Sequence, residues 1–202
     1  MLILASQSRT RKALLSGAGL RFSTEVAEVD ERAVESAAMA AGADGGAIAT
    51  RIAEAKAEAV AARMPNSTVI AADQTLALDE ELLHKPANLQ AARSQLERLR
   101  GRTHRLHAGV ALAVGGSVVW STVDTAELTL RDFPATELEE VLALEGEAVL
   151  ASVGGYRLEG PSIRLFEAVR GDYFTILGLP LLPLLAALRR YAPDAFSERA
   201  SA

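Results

Sequence analysis

Residues 1–15 read MLILASQSRTRKALL. Leu2 to Ala5 form a short apolar run of the kind that makes a buried strand, and the run ends at the polar Ser6. A helix is expected from Arg9 to about Gly17. Ser8 is placed to cap it, because a serine hydroxyl can accept one of the free N–H groups of the first turn. A strand that passes through a polar turn into a helix is how an α/β sheet begins.

The rest of the chain continues in that style. Gly42 to Gly46 interrupts an alanine-rich region. A helix then runs to Met64, with Ile48, Ile52, Ala55, Ala59 and Ala62 at helical spacing, and Pro65-Asn66 ends it. Thr68 to Ala72 reads as a second buried strand. A hairpin is expected around Asp79-Glu80, between Thr75–Leu78 and Leu82–His84. Ala92, Leu96 and Leu99 mark a third helix closed by Gly101. Thr103 to Val114 and Val118 to Leu130 read as long strands joined at Gly115-Gly116, a strong hairpin signal. Pro134 opens a short helix to Leu144. Ile163–Val169 and Tyr173–Leu177 read as a strand pair, and Pro180–Tyr191 as the last helix. The expected class is α/β: a mixed twisted sheet with flanking helices and a central cleft. With no repeat or linker, residues 1–192 form one domain and residues 193–202 a frayed tail.

Composition limits the function. Of 202 residues, 50% are hydrophobic and 23% charged, which suits an ordinary globular core. The net charge of −5 argues against a nucleic-acid partner. A local basic cluster can still hold a small anion. With no cysteine, disulfides, thiolate zinc sites and a cysteine nucleophile are excluded. The start, Met-Leu-Ile-Leu-Ala, lacks the basic residues of a signal peptide. Ile176 to Leu188 is too short to span a bilayer and contains Pro180 and Pro183. The expectation is a cytoplasmic protein without a membrane partner, with a homodimer as one possible assembly.

Several clusters carry chemistry, each with a plainer alternative. Ser6-Gln7-Ser8-Arg9-Thr10-Arg11 puts hydroxyls, free N–H groups and guanidiniums at a helix N-terminus, which suits an anion. The alternative is a simple cap with solvated arginines. Asp73-Gln74 follows the apolar strand, at the strand end where α/β folds bind ligands. The alternative is a turn aspartate. Lys56 lies in a helix beside Arg51 and Glu54, where a solvated face is the usual outcome. Lys85, fixed before Pro86, could reach a phosphate as a point charge. Glu28, Asp30 and Glu31 could hold Mg²⁺ or form a charged loop. Gly154-Gly155-Tyr156 with Glu159-Gly160 offers close approach, a stacking ring and an acceptor for a purine edge, or else a turn with a half-buried tyrosine. His104 and His107, three apart on a strand, face opposite sides and cannot share a metal.

The order of these blocks resembles the Maf family. Leu2 to Ser8 with Arg11, Leu14 and Leu15 is similar to its opening, L-I-L-A-S-x-S-P-x-R-x-x-L-L. Val29-Asp30-Glu31, Arg51 to Ala57, Ala71-Ala72-Asp73, Lys85-Pro86, Leu99 to Gly101 with His104, and Gly178 to Leu181 follow in family order. The resemblance implies an inosine triphosphatase-like (Ham1-type) fold and a metal-dependent pyrophosphatase acting on nucleoside triphosphates. It makes Asp73 the catalytic carboxylate, and Glu31 with Asp73 the ligands of Mg²⁺ or Mn²⁺. Ser8, Arg11, Lys56 and Lys85 become phosphate contacts.

Within the family, Asp73-Gln74 and Glu159-Gly160 resemble a subgroup acting on 7-methyl-GTP. Thr10, Gln74 and Glu159 are then the specificity positions. A carboxylate at Glu159 can pair with the two adjacent N–H donors of guanine. The alternatives are a dTTP/UTP pyrophosphatase of the same family and a non-enzymatic nucleotide-binding regulator of cell division. The chain departs from the family at Arg9, where the proline is missing, at Thr10, which is neither Arg nor Trp, and at Ser152-Val153, where many members have Lys-Ala.

Overall fold

A computed structural model describes residues 1–197 of the chain. Its sheet has seven strands: β1 (Leu2–Leu4), β2 (Ser23–Thr24), β3 (Thr68–Leu78), β4 (Glu81–Leu83), β5 (Thr103–Val114), β6 (Ser117–Leu130) and β7 (Phe166–Arg170). The order is β2-β1-β3-β5-β6-β7, with β4 also paired to β3. The β1 pairings are parallel and the others antiparallel, so the sheet is mixed, as expected.

The main departure lies in β3. Asp73 does not sit at a strand exit. The strand runs unbroken for 11 residues, because β5 pairs with it from Val69 to Ala77. The opposite edge is interrupted instead. There β1 pairs only as far as Ile70, and β4 begins at Leu76. Between those registers, Asp73 and Gln74 lie on a strand with one open edge. A strand end and a sheet gap present an acid equally well, and local sequence does not distinguish them.

The helices are α1 (Arg9–Gly17), α2 (Glu31–Ala40), α3 (Gly45–Arg63), α4 (Leu89–Leu99), α5 (Ala135–Glu145), α6 (Tyr173–Ile176) and α7 (Leu181–Tyr191). Ser8 caps α1 as expected, accepting from Arg11 N at 3.3 Å. Helix α2 was not expected. Its start is the supposed acidic loop: Asp30 is the N-cap, accepting from Ala33 N at 3.0 Å. None of its residues is fully buried, and only Val34, Glu35 and Ala38 are partly covered, so its apolar face is short. Tyr173–Leu177 is not a strand either. Asp172 caps a single helical turn there, accepting from Phe174 N and Thr175 N. The stretch expected to be strand from Ile163 begins as a 3-10 turn, Pro161–Leu165, before β7. Pro193–Phe196 forms a 3-10 turn rather than a loose tail, and Arg189 stacks over Phe196; the last part of the expected tail, 198–202, lies outside the described residues.

Three apolar clusters hold the layers together. Ala53, Ala57, Val60 and Ala61 of α3 pack on Val69, Ala71, Ala111 and Ala113 of the sheet. On the other face α1 and α7 cover Leu4, Ile70, Val110 and Leu112. A larger cluster joins α4 and α5 to the far end of β3, β5 and β6. The buried stripe of α3 is displaced from the one expected, since Ala55 and Ala59 are only partly buried and Ala62 is exposed. Small residues on this helix allow a close approach. Gly109 is the extreme case: a Cβ there would lie 2.5 Å from the backbone of Ala49. That contact seats α3 directly over β5 and fixes where Lys56 falls.

Candidate active site

A cleft of about 930 Å³ opens beside β3, at the gap between β1 and β4. That is room enough for a nucleotide-sized ligand. Ser8, Thr10, Arg11, Glu31, Lys56, Asp73, Gln74, Lys85 and Glu159 all line it. The structure therefore brings every site residue expected from sequence to one place. Six Lys and Arg side chains face four acids along its walls, so an acidic chain presents a basic cleft.

Lys56 occupies the buried face of α3, not a solvated one, and is only 8% exposed. Its Nζ lies 2.7 Å from Asp73 Oδ1 and 2.9 Å from Glu31 Oε1. A buried ammonium is tolerated when carboxylates match its charge. Glu31 reaches it from the first turn of α2, with about half its side chain in solvent. Asp73 Oδ2 has no hydrogen-bond partner among the described residues.

Arg11 does more than supply charge. Its Nε donates to Gly178 O at 2.7 Å, and Nη1 donates to Ala72 O at 2.7 Å and Ser6 Oγ at 3.3 Å. One guanidinium thus ties α1 to the open edge of β3 and to the turn after α6. Burial lowers its pKa, against the opposing pull of Asp73 and Glu31. Only Nη2 remains without a partner among the described residues.

Lys85 follows β4 and projects into solvent at the cleft mouth, without an ion pair among the described residues. Crowding by the cleft walls and then the positive charges of Arg11 and Lys56 lower its pKa, while Asp73 and Glu31 act the other way. A cation destabilised in this manner favours an anionic ligand.

Asp73 and Gln74 point to opposite faces of the strand, as successive residues must. Asp73 meets α3, whereas Gln74 Nε2 donates to Thr175 O at 3.1 Å and Ile176 O at 3.0 Å. Its donors are thereby occupied, and the acceptor Oε1 is left. Glu159 is exposed on the far wall and makes no hydrogen bond or ion pair among the described residues. Thr10 lies half-buried on the first turn of α1.

Two sequence readings are corrected here. Tyr156 is 2% exposed, packs edge-on against Phe166 and shares a 2.7 Å hydrogen bond with His104 Nε2. It is a core residue beneath the cleft, not a ring free to stack on a base. Gly154 and Gly155 serve packing: a Cβ at Gly154 would lie 2.6 Å from Leu76, and one at Gly155 3.1 Å from Ala92. His104 and His107 do face opposite sides, toward Tyr156 and Thr125 respectively. Arg32, His84 and Arg157 also line the cleft and were missed. His84 Nε2 lies 3.5 Å from Glu35 of α2, which joins the two rims. Nothing in the spacing of these residues signals a shared site.

Among the described residues, no group of three or more His, Cys, Asp or Glu is set to hold a metal ion. Glu31 and Asp73 nevertheless converge on a single cationic atom. Two carboxylates, completed by substrate phosphates and water, are a donor set that suits Mg²⁺ or Mn²⁺. No helix among the described residues is long and apolar enough to cross a membrane.

Comparison with known proteins finds relatives over nearly the whole chain. A 7-methyl-GTP pyrophosphatase of Brucella abortus biovar 1 (strain 9-941) is 49% identical, over 94% of this chain and 95% of that protein. A 7-methyl-GTP pyrophosphatase of Rhizobium johnstonii is 50% identical, over 93% and 94%. A nucleoside triphosphate pyrophosphatase of Nitrobacter winogradskyi is 51% identical, over 93% and 92%. Among solved structures, a HAM1 protein from Coxiella burnetii superposes with a TM-score of 0.43 at 18% identity, covering 66% of this chain and 74% of that one. The family model described as Maf-like protein matches residues 1–191, and the chain belongs to that family.

Proposed function

We propose that this protein hydrolyses a nucleoside triphosphate, best 7-methyl-GTP, to the monophosphate and pyrophosphate. The observation that carries the reading is the position of Lys56 between Asp73 and Glu31 in a basic cleft. Relatives named 7-methyl-GTP pyrophosphatase and nucleoside triphosphate pyrophosphatase, at about half identity over nearly the whole chain, support it.

Lys56 occupies Asp73 Oδ1, which leaves Oδ2 to orient a water and take its proton. The water oxygen bonds to the α-phosphorus, the bond from that phosphorus to the bridging oxygen breaks, and pyrophosphate leaves with the electron pair. Lys85, the free N–H groups of Arg11 Nη2 and the hydroxyl proton of Ser8 are the donors for the phosphate oxygens. Their fixed positive charge favours the developing negative charge. Glu31 and Asp73 would hold the divalent metal, which when bound neutralises phosphate charge. At the other wall, the Glu159 carboxylate presents acceptors, a match for the adjacent N–H donors of a guanine edge; Gln74 and Thr10 line the same cleft.

Pyrophosphate release should be measured across 7-methyl-GTP, GTP, UTP and dTTP with Mg²⁺ and with Mn²⁺. Highest kcat/KM on 7-methyl-GTP supports the reading. Preference for UTP or dTTP would reassign the base. Tight nucleotide binding without pyrophosphate release would make the protein a binding regulator instead.

A further inference from the structure

We propose that Glu145 is a positioning residue that sets base selectivity by holding the turn that carries Glu159. The selectivity part of this rests on the pyrophosphatase reading above.

Glu145 closes α5, and its side chain has no solvent exposure. Both of its oxygens are engaged with one short segment. Oε1 accepts from Ser162 N at 2.9 Å and Ser162 Oγ at 2.8 Å. Oε2 accepts from Arg157 Nε at 2.8 Å and Arg157 Nη2 at 2.7 Å. Residues five apart are thus anchored to a single carboxylate. Between them the backbone turns, with Gly160 N donating to Arg157 O at 3.2 Å and Ile163 N to Gly160 O at 3.1 Å. The turn lies directly on the acid: a Cβ at Gly160 would come within 2.5 Å of Glu145 Oε1.

Glu159 sits at the tip of that turn, exposed on the cleft wall. No hydrogen bond or ion pair among the described residues fixes its side chain, so its place depends on the backbone beneath. The flanking segment consists of 3-10 turns, which are weak in hydrogen bonding. A fully buried carboxylate is costly unless matched, and here the match is a lock on the loop. Glu145 itself does not line the cleft, so its influence on a bound base passes through Arg157, which does, and through the turn.

The test is Glu145→Gln in the full-length chain. The amide can still accept from Ser162, but its NH₂ then faces Arg157 and leaves a cation unmatched. Expected is a loss of about tenfold in kcat/KM on 7-methyl-GTP, mainly through KM, with less than about twofold on UTP. Hydrogen exchange of the backbone amides between Arg157 and Ser162 should quicken. Should Glu145→Gln not fold, Arg157→Gln breaks the same lock from its solvent-facing side, with the same shift in ratio expected. Equal losses on both nucleotides, or unchanged exchange in the folded variant, would overturn the proposal. If the wild type releases pyrophosphate from no nucleotide, the selectivity claim falls with the enzyme reading, and exchange alone decides whether Glu145 holds the turn.

Discussion

Lys56 Nζ lies 2.7 Å from Asp73 Oδ1, and each residue comes from the middle of its element, the lysine from α3 and the acid from β3. The contact divides the carboxylate into one oxygen held by protein and one left open to the cleft. It also explains why a lysine can occupy a buried helical face whose other members include Ile48, Ile52, Ala53 and Val60.

Asp73→Asn should keep the fold and nucleotide binding while removing most turnover. The amide can still accept from Lys56, but it cannot take a proton. Loss of a general base costs ~10²–10⁴-fold in rate. The check is kcat for pyrophosphate release beside nucleotide affinity. A variant with more than about a tenth of the wild-type rate would remove Asp73 from that role.

Lys56→Gln should do two opposite things. Turnover should fall, because the variant loses the cation that fixes Asp73. Affinity for Mn²⁺ in the absence of nucleotide should rise roughly tenfold, since two carboxylates then face each other without a counter-charge. Electron paramagnetic resonance of free Mn²⁺ measures it. Unchanged or weaker affinity would detach Glu31 and Asp73 from the metal.

Arg11→Lys keeps the charge and loses the fork. A single ammonium cannot reproduce the bonds to Gly178 O and Ala72 O that Arg11 makes with two nitrogens. One buried carbonyl left unmet costs ~1–3 kcal/mol. The melting temperature should drop, and kcat/KM should fall at least about tenfold as the gap beside Asp73 loosens. A lysine variant with wild-type melting temperature and rate would show that charge alone matters there.

His104 makes folding sensitive to acid. Burial lowers its pKa from the ordinary 6.5 to about 4, so the folded protein keeps the ring neutral. Between those values the unfolded chain binds the extra proton. The stabilisation is therefore complete above pH 6.5 and is lost as pH falls toward 4, by ~3 kcal/mol in all. Urea denaturation over this range should show the slope in wild type and a smaller one in His104→Phe. Equal slopes would mean that other groups govern the acid limb.

Much of this was written locally. The run Leu2 to Ala5 followed by Ser8 makes a strand and a capped helix, because both signals act within a few residues. Gly115-Gly116 makes the hairpin of β5 and β6 for the same reason. Helix α2 escaped notice because none of its residues is fully buried, and Tyr173–Ile176 because one capped turn looks like a strand to a periodicity argument. The fact that Ser8, Arg11, Glu31, Lys56, Asp73, Gln74, Lys85 and Glu159 share a cleft was anticipated through family resemblance rather than through their own patterns. What each does there was decided by the tertiary structure. Whether Asp73 ends a strand or faces a gap depends on where β1 stops and β4 starts. Whether Arg11 is free for phosphate or bound to backbone depends on carbonyls 61 and 167 residues away. Glu145 gives no signal in sequence, since an acid at a helix end is ordinarily solvated. It becomes a lock only because the loop after it folds back and excludes water from its carboxylate.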